Sequence, residues 1–156
     1  MTLFRRRAAS PVLPRAAACF PTPAMTRRAA DWLRALGGCA PLGILSDDCP
    51  DVVWQCAAER VDLLLLGTDF SGETADTKDV SARCDIAIEV RRQRPACRVY
   101  LVCEEGCPEK RPALEKAVEL KLIDGYFVGE LTAQQAKRWI AETAEAMARA
   151  NEARRV

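Results

Sequence analysis

The sequence Asp62-Leu63-Leu64-Leu65-Leu66-Gly67 carries the strongest fold signal in the chain. Four consecutive leucines follow an acidic residue, without the alternation of apolar and polar residues that a half-exposed strand would show. Such a run predicts a strand that is buried on both faces, as in a parallel sheet covered by helices. The strand ends on Gly67, at the edge of the sheet where open α/β proteins bind their ligands.

Strand-like and helix-like segments alternate on both sides of this stretch. A further weak strand is expected at residues 16–20, although its three alanines favour strands poorly. This alternation predicts right-handed βαβ units and a parallel sheet between two layers of helices. The fold class is therefore α/β, with three layers (α/β/α) and a central five-stranded parallel sheet. The other predicted strands are at residues 42–45, 61–66, 99–103 and 126–128.

Length and composition limit the classes of protein that the chain can be. Its 156 residues suit one domain, and a hydrophobic fraction of 49% is enough for one core. The net charge of +1 gives no general attraction to nucleic acid or membranes. The longest apolar run is much shorter than the ~20 residues that a membrane-spanning helix needs.

The cysteine content indicates a reducing compartment. The chain has eight cysteines and no histidine, and most of the cysteines lie within apolar segments. We therefore expect core thiols in a cytoplasmic protein rather than a disulfide framework. Cys103 and Cys107 form a C-x-x-x-C pair, but without histidine a zinc site would need four thiolates in paired C-x-x-C elements. We expect no metal and no cofactor.

The first thirty residues differ from the rest, with six arginines and no acid. Pro11, Pro14 and Arg15 interrupt the apolar segment that a signal peptide would need. A misassigned start upstream of about Met25 would also explain the change in composition. We interpret residues 1–15 as a basic, loosely ordered leader, with the domain proper and a frayed tail expected at 16–150 and 151–156.

The order of the elements resembles that of response-regulator receiver domains, and the resemblance covers roughly residues 16–150. Residues 61–66 are similar to the third strand of a receiver. Residues 88–102 are similar to its third helix and fourth strand, and residues 122–128 to the turn into its fifth strand. The resemblance implies a flavodoxin-like receiver fold.

In this family, an acidic pair after strand one binds Mg²⁺ and an aspartate at the end of strand three accepts the phosphoryl group. A threonine or serine after strand four and a lysine after strand five bind its oxygens. The matched positions in this chain carry other chemistry, and they are Phe20 and Pro21, Gly67, Cys103, and Gly129. The resemblance thus implies a degenerate receiver (a pseudo-receiver) that is neither phosphorylated nor an enzyme.

Acidic residues near the same sheet edge could hold a cation at a new place. Mg²⁺ demands octahedral geometry, which scattered loop acids rarely supply, so we favour solvated acids, with Asp48 capping a helix. The absence of histidine also removes the commonest general base. The acids concerned are Asp47, Asp48, Asp69, Glu104, Glu105 and Glu130.

The resemblance favours an interaction module for signalling or localisation. Its partner would be another protein or a second copy, bound through helix four, strand five and helix five. Residues 122–127 also resemble the degenerate receiver at the N-terminus of ParA/MinD-like pilus-assembly ATPases. The residues predicted on this partner face are Lys110, Arg111, Glu115, Lys116, Glu119, Arg138 and Glu142.

Two other functions stay open from the sequence. A flavodoxin-like domain could bind a small ligand or nucleotide around Gly67, Thr68, Cys103 and Gly129, where small side chains would leave room. A DNA-associated regulator could use the basic arm, and its binding would then be salt-dependent and lost without residues 1–15. The near-neutral net charge counts against nucleic acid.

Overall fold

A computed structural model of the chain describes residues 13–68, 78–103 and 110–155. Five strands and five helices alternate along these three ranges. No helix in them is both long and apolar enough to cross a membrane. The elements are β1 (Arg15–Cys19), α1 (Pro23–Leu36), β2 (Ala40–Gly43), α2 (Cys49–Ala58), β3 (Leu63–Gly67), α3 (Lys78–Gln93), β4 (Arg98–Cys103), α4 (Arg111–Glu119), β5 (Gly125–Val128) and α5 (Ala133–Arg155).

All five strands run parallel in one sheet, in the order β2-β1-β3-β4-β5. The leucine-rich β3 occupies the centre, and each of its five residues is buried. The weak first strand is confirmed as β1, where Ala16 pairs with Leu63 on one side and with Pro41 on the other. Partners on both sides supply the backbone hydrogen bonds, so tertiary context overrides the low strand propensity of alanine.

Helices cover both faces of this sheet, which confirms the three-layer α/β/α architecture. Helices α1 and α5 bury Leu33, Trp139 and Ile140 against one face. Helices α2, α3 and α4 cover the other face with the side chains of Val52, Cys56, Val80, Cys84, Ala87, Val90, Leu114 and Ala117.

Several element boundaries differ from those that the sequence suggested. Strand β2 begins two residues earlier than predicted, because Ala40 pairs with Arg15 at the start of β1. Arg15 is therefore part of the sheet, although the predicted leader included it. At the other end, α5 continues through Arg155, so residues 151–155 are helical where a frayed tail was expected. Residues 1–12 of the basic arm lie outside the described residues.

The two predicted helix starts behave differently. Thr22 caps α1 as expected, since its hydroxyl accepts a hydrogen bond from the Met25 amide at 3.2 Å. Asp48 occupies the N-cap position of α2, but its side chain makes no capping bond, so this prediction is wrong. Instead the Asp48 amide donates to the Ser46 hydroxyl at 3.3 Å, and that hydroxyl donates to Asp51 at 2.7 Å.

The cysteines of the described ranges are mostly core residues, as the sequence suggested. No disulfide joins those in the described ranges, and all of them except the partly buried Cys49 are buried. Burial raises the pKa of Cys19 to about 11, an effect that the Arg83 guanidinium partly offsets and that Asp47 reinforces. Burial likewise raises the pKa of Cys56 to about 12.

These raised pKa values predict that the fold loses stability in alkaline solution. An unfolded thiol ionises near pH ~8.5, whereas Cys19 and Cys56 stay protonated in the folded chain until about 11 and 12. Their stabilising contribution is complete below pH ~8.5 and falls as pH rises above it. Between pH 7.5 and 10 we expect a loss of about 2 kcal/mol per thiol in the free energy of unfolding, measured with urea.

A matched variant separates the thiols from other groups that titrate in this range. Cys19→Ala combined with Cys56→Ala removes these two of the buried thiols and should flatten the pH dependence by about 4 kcal/mol over the same interval. An equally steep fall in the variant would show that other groups cause the alkaline loss.

Candidate functional site

The candidate site lies at the edge of the sheet where the parallel strands end. Strand pairing places the end of β1 beside Leu66, Gly67 beside Val102, and Cys103 beside Val128. The amide of Gly129, the residue after β5, donates to the Cys103 carbonyl at 2.7 Å. The fold therefore brings to one edge the end of β1, Gly67, Cys103 and Gly129, which the sequence resemblance matched to the phosphorylation pocket of a receiver.

The space beside Gly67 is filled by the ring of Phe20. A Cβ atom built at Gly67 would lie 2.2 Å from Cδ2 of Phe20, and 2.9 Å from both Cε2 and Cγ. The close atoms include Cγ, at the root of the ring, and Phe20 is only 4% exposed, so the ring has little freedom to move aside. The expectation that Gly67 opens room for a ligand is therefore wrong.

Phe20 is held in this place by helix α1. The Phe20 amide donates a hydrogen bond to the hydroxyl of Thr26 at 2.9 Å. The same hydroxyl donates to the Phe20 carbonyl oxygen at 3.4 Å. Thr26 is fully buried, so these bonds are shielded from water. These bonds fix the backbone of Phe20 and therefore the position from which its side chain extends.

A buried arginine from α3 lies at the same edge. Nε of Arg83 donates to the Gly67 carbonyl at 2.9 Å, and its NH2 group donates to Oδ2 of Asp47 at 3.3 Å. The Arg83 side chain is 8% exposed, whereas that of Asp47 is 49% exposed. The sequence analysis did not identify Arg83. Its position three residues after Val80, on the apolar side of a predicted helix, could have indicated that it is buried.

The candidate relocated acids do not converge within the described residues. Asp47 is paired with Arg83, while Asp48 and Glu130 are exposed. Asp69, Glu104 and Glu105 lie outside the described residues. In the ranges that the structure describes, no three His, Cys, Asp or Glu side chains are grouped closely enough to hold a metal ion.

Thr68, next to Gly67, carries an unusual polar group. It is fully buried, and its amide donates to the Val102 carbonyl at 3.0 Å. Its hydroxyl has no hydrogen-bond partner in the described part of the chain.

A cavity of about 560 Å³ opens on the α1 side of Phe20. Phe20 and Leu65 form its buried floor, and its other walls come from α1 and from the residues that follow β5. Its lining does not include Thr68, Cys103 or Gly129, so it is not the ligand pocket that the sequence suggested. The wall residues are Met25, Arg28, Ala29, Trp32, Glu130 and Leu131.

The predicted partner face is only partly at the surface. Lys110 is 1% exposed, so its assignment to an exposed face is wrong. It directly precedes α4, at the N-cap position of that helix. Tyr126 on β5 donates to Glu115 at 3.4 Å and links the strand to α4. The residues that remain at least partly exposed are Arg111, Glu115, Lys116, Glu119, Arg138 and Glu142.

Several solved structures with the same fold are described as response-regulator receiver domains. The chain superposes with a TM-score of 0.64 on a receiver domain protein from Clostridium thermocellum, at 12% identity, covering 85% of this chain and 95% of that one. A signal receiver domain of an HD domain-containing protein from Pseudomonas fluorescens Pf-5 gives 0.64 at 14% identity, covering 90% and 93%.

A CheY-like protein (tadZ) from Pseudomonas aeruginosa PAO1 gives a TM-score of 0.58 at 11% identity, covering 83% of this chain and 98% of that one. No protein-family model matches the sequence, and no curated protein matches it. At these identities the likeness establishes the fold, and the chain has the flavodoxin-like, CheY-like receiver fold.

Proposed function

We propose that this chain is a pseudo-receiver, a signalling or localisation module that binds a partner without being phosphorylated. The packing of the Phe20 ring against Gly67 is the observation that carries this proposal. A receiver needs a carboxylate nucleophile at position 67, and here even a Cβ atom would overlap the ring. The acceptor is therefore missing together with the space that it would occupy.

The charge at this edge supports the same conclusion. Phosphoryl transfer in receivers uses a divalent cation held by carboxylates, which are hard oxygen ligands. In this chain the guanidinium of Arg83 reaches the end of β3 and pairs with Asp47. This ion pair engages the carboxylate of Asp47, which disfavours its use as a ligand for Mg²⁺ beside Gly67.

The partner in this proposal is another protein or a second copy of the chain. Six residues of mixed charge on and around α4, β5 and α5 remain at the surface for such a contact. A finer relationship, to the receiver-like domain of ParA/MinD-like pilus-assembly ATPases, is part of the proposal. Its support is the sequence of residues 122–127, and the fold shared with the CheY-like tadZ protein is compatible with it.

Phosphodonor treatment tests the proposal directly. We expect no mass increase when the chain is incubated with Mg²⁺ and acetyl phosphate and examined by intact mass spectrometry. Sedimentation velocity on the same samples should show an unchanged oligomeric state, because the module does not depend on a phosphoryl group. A receiver domain with all of its pocket residues, treated in parallel, is the positive control.

The contradicting result is the gain of one phosphoryl group on this chain. Mapping that group to Asp69, Glu104 or another acid would show that the acceptor has moved, and that the protein is a working switch.

A further inference from the structure

The cavity beside Phe20 has the architecture of a small-molecule site. Its volume of about 560 Å³ lies within the range of about 300–1,000 Å³ that is typical of ligand pockets. Met25, Ala29 and Trp32 follow one another at helical spacing along one side of α1 and line the same wall. With Phe20 and Leu65 below them, they form an apolar interior that includes two aromatic rings.

Two opposite charges stand among these apolar residues. Arg28 comes from α1, and Glu130 comes from the segment between β5 and α5, so separate walls contribute the cation and the anion. In the described ranges neither of them forms an ion pair within 4.0 Å, although most other arginines on the helices do. Both charges are therefore available to a ligand.

We propose that this cavity binds a small zwitterion with a hydrophobic side chain, of the class of the apolar α-amino acids. The carboxylate of such a molecule would pair with Arg28 and its ammonium group with Glu130. Its side chain would lie against Phe20, Met25 and Trp32. A ligand with a single charge would place that charge near a like-charged wall residue, which disfavours it.

This inference stands apart from the proposed absence of phosphorylation. The cavity is on the α1 side of the Phe20 ring, and its lining includes neither Gly67 nor Arg83. Phe20 connects the two features, since one side of the ring fills the space beside Gly67 while the side chain also forms the cavity floor. Ligand occupancy can therefore be tested without a phosphodonor.

The test is a titration of the full chain with L-phenylalanine and L-leucine, followed by ¹H–¹⁵N chemical shifts and by tryptophan fluorescence. We expect saturable shifts confined to α1, Phe20, Leu65 and residues 130–131. Phenethylamine lacks the carboxylate and 3-phenylpropanoate lacks the ammonium group. Each should bind at least about tenfold more weakly than phenylalanine, because one charged contact is lost.

Charge variants assign the two contacts. Arg28→Gln should weaken phenylalanine binding about tenfold or more, but it should not weaken phenethylamine binding, because it removes a like charge from the ammonium group. Glu130→Gln should likewise weaken phenylalanine binding without weakening that of 3-phenylpropanoate. Arg27→Gln is the matched control, since Arg27 is exposed on the same helix and does not line the cavity.

Four results would overturn the proposal. They are the absence of saturable shifts up to about 10 mM ligand in the folded chain, shifts that map elsewhere, equal effects of Arg28→Gln and Arg27→Gln, and binding of an aromatic peptide without binding of the free amino acids.

Discussion

Gly67→Ala is expected to lower the free energy of unfolding by about 1–3 kcal/mol, and shortening Phe20 should remove most of that loss. The added methyl group would lie 2.2 Å from the Phe20 ring, so the ring or the strand has to shift. Phe20→Ala alone should cost about 3–5 kcal/mol, because it empties a buried aromatic site. Combined with Phe20→Ala, however, Gly67→Ala should cost almost nothing.

Urea unfolding of the four proteins in this double-mutant cycle measures the coupling between positions 20 and 67. A matched cycle pairs Gly67→Ala with Leu114→Ala, which is buried under α4 on the opposite face of the sheet. That pair should be additive within about 0.5 kcal/mol. Additivity at Phe20 as well would show that the ring does not restrict position 67.

The same contact governs attempts to restore phosphorylation. Gly67→Asp places a longer and charged side chain where the ring already excludes a methyl group, so it should destabilise the chain more than Gly67→Ala does. It should also remain without a phosphoryl group in acetyl phosphate, since the acidic pair and the lysine are absent too. Robust acyl-phosphate formation by this single variant would contradict the view that the whole pocket is lost.

Arg83→Met is expected to destabilise the chain by about 1.5–3 kcal/mol. It removes the guanidinium that bonds the Gly67 carbonyl at 2.9 Å and leaves Asp47 without its partner. Methionine has a similar length and keeps most of the packing, so the loss reports mainly the charged hydrogen bonds. Arg83→Lys should fall in between, because an ammonium group cannot reproduce the two-pronged geometry of the guanidinium.

Asp47→Asn is the matched variant for this ion pair. Asp47 is half exposed, so its charge contributes little against solvent screening, and we expect a loss below about 1 kcal/mol. Equal effects of Arg83→Met and Asp47→Asn in urea unfolding would mean that the ion pair, and not the bond to Gly67, gives Arg83 its importance.

The sequence predicted the architecture because the fold depends on patterns that are local in the chain. The leucine run of β3 and the alternation of elements are readable without contacts, and even the alanine-rich β1 followed from the expected element order. The exact first and last residues of β1 and β2 depend on how these two strands pair, and the periodicity of the sequence carries no information on that pairing.

The site was harder to predict, because its decisive features are contacts between distant residues. The matched pocket positions were named from the resemblance, but glycine at position 67 suggested open space. Only the course of the chain after β1 brings Phe20 into that space. Lys110 and Arg83 illustrate the same limit, since long charged side chains are usually exposed and both are buried here.

The contact between Phe20 and Gly67 also restricts the evolutionary routes open to this protein. A carboxylate at position 67 is tolerated only after the residue at position 20 has become smaller, and that first change by itself empties part of the core. Proteins sit only slightly above the stability they need, so each single step is selected against. A carboxylate at position 67 therefore becomes accessible only through two substitutions made together, because each of them alone costs stability.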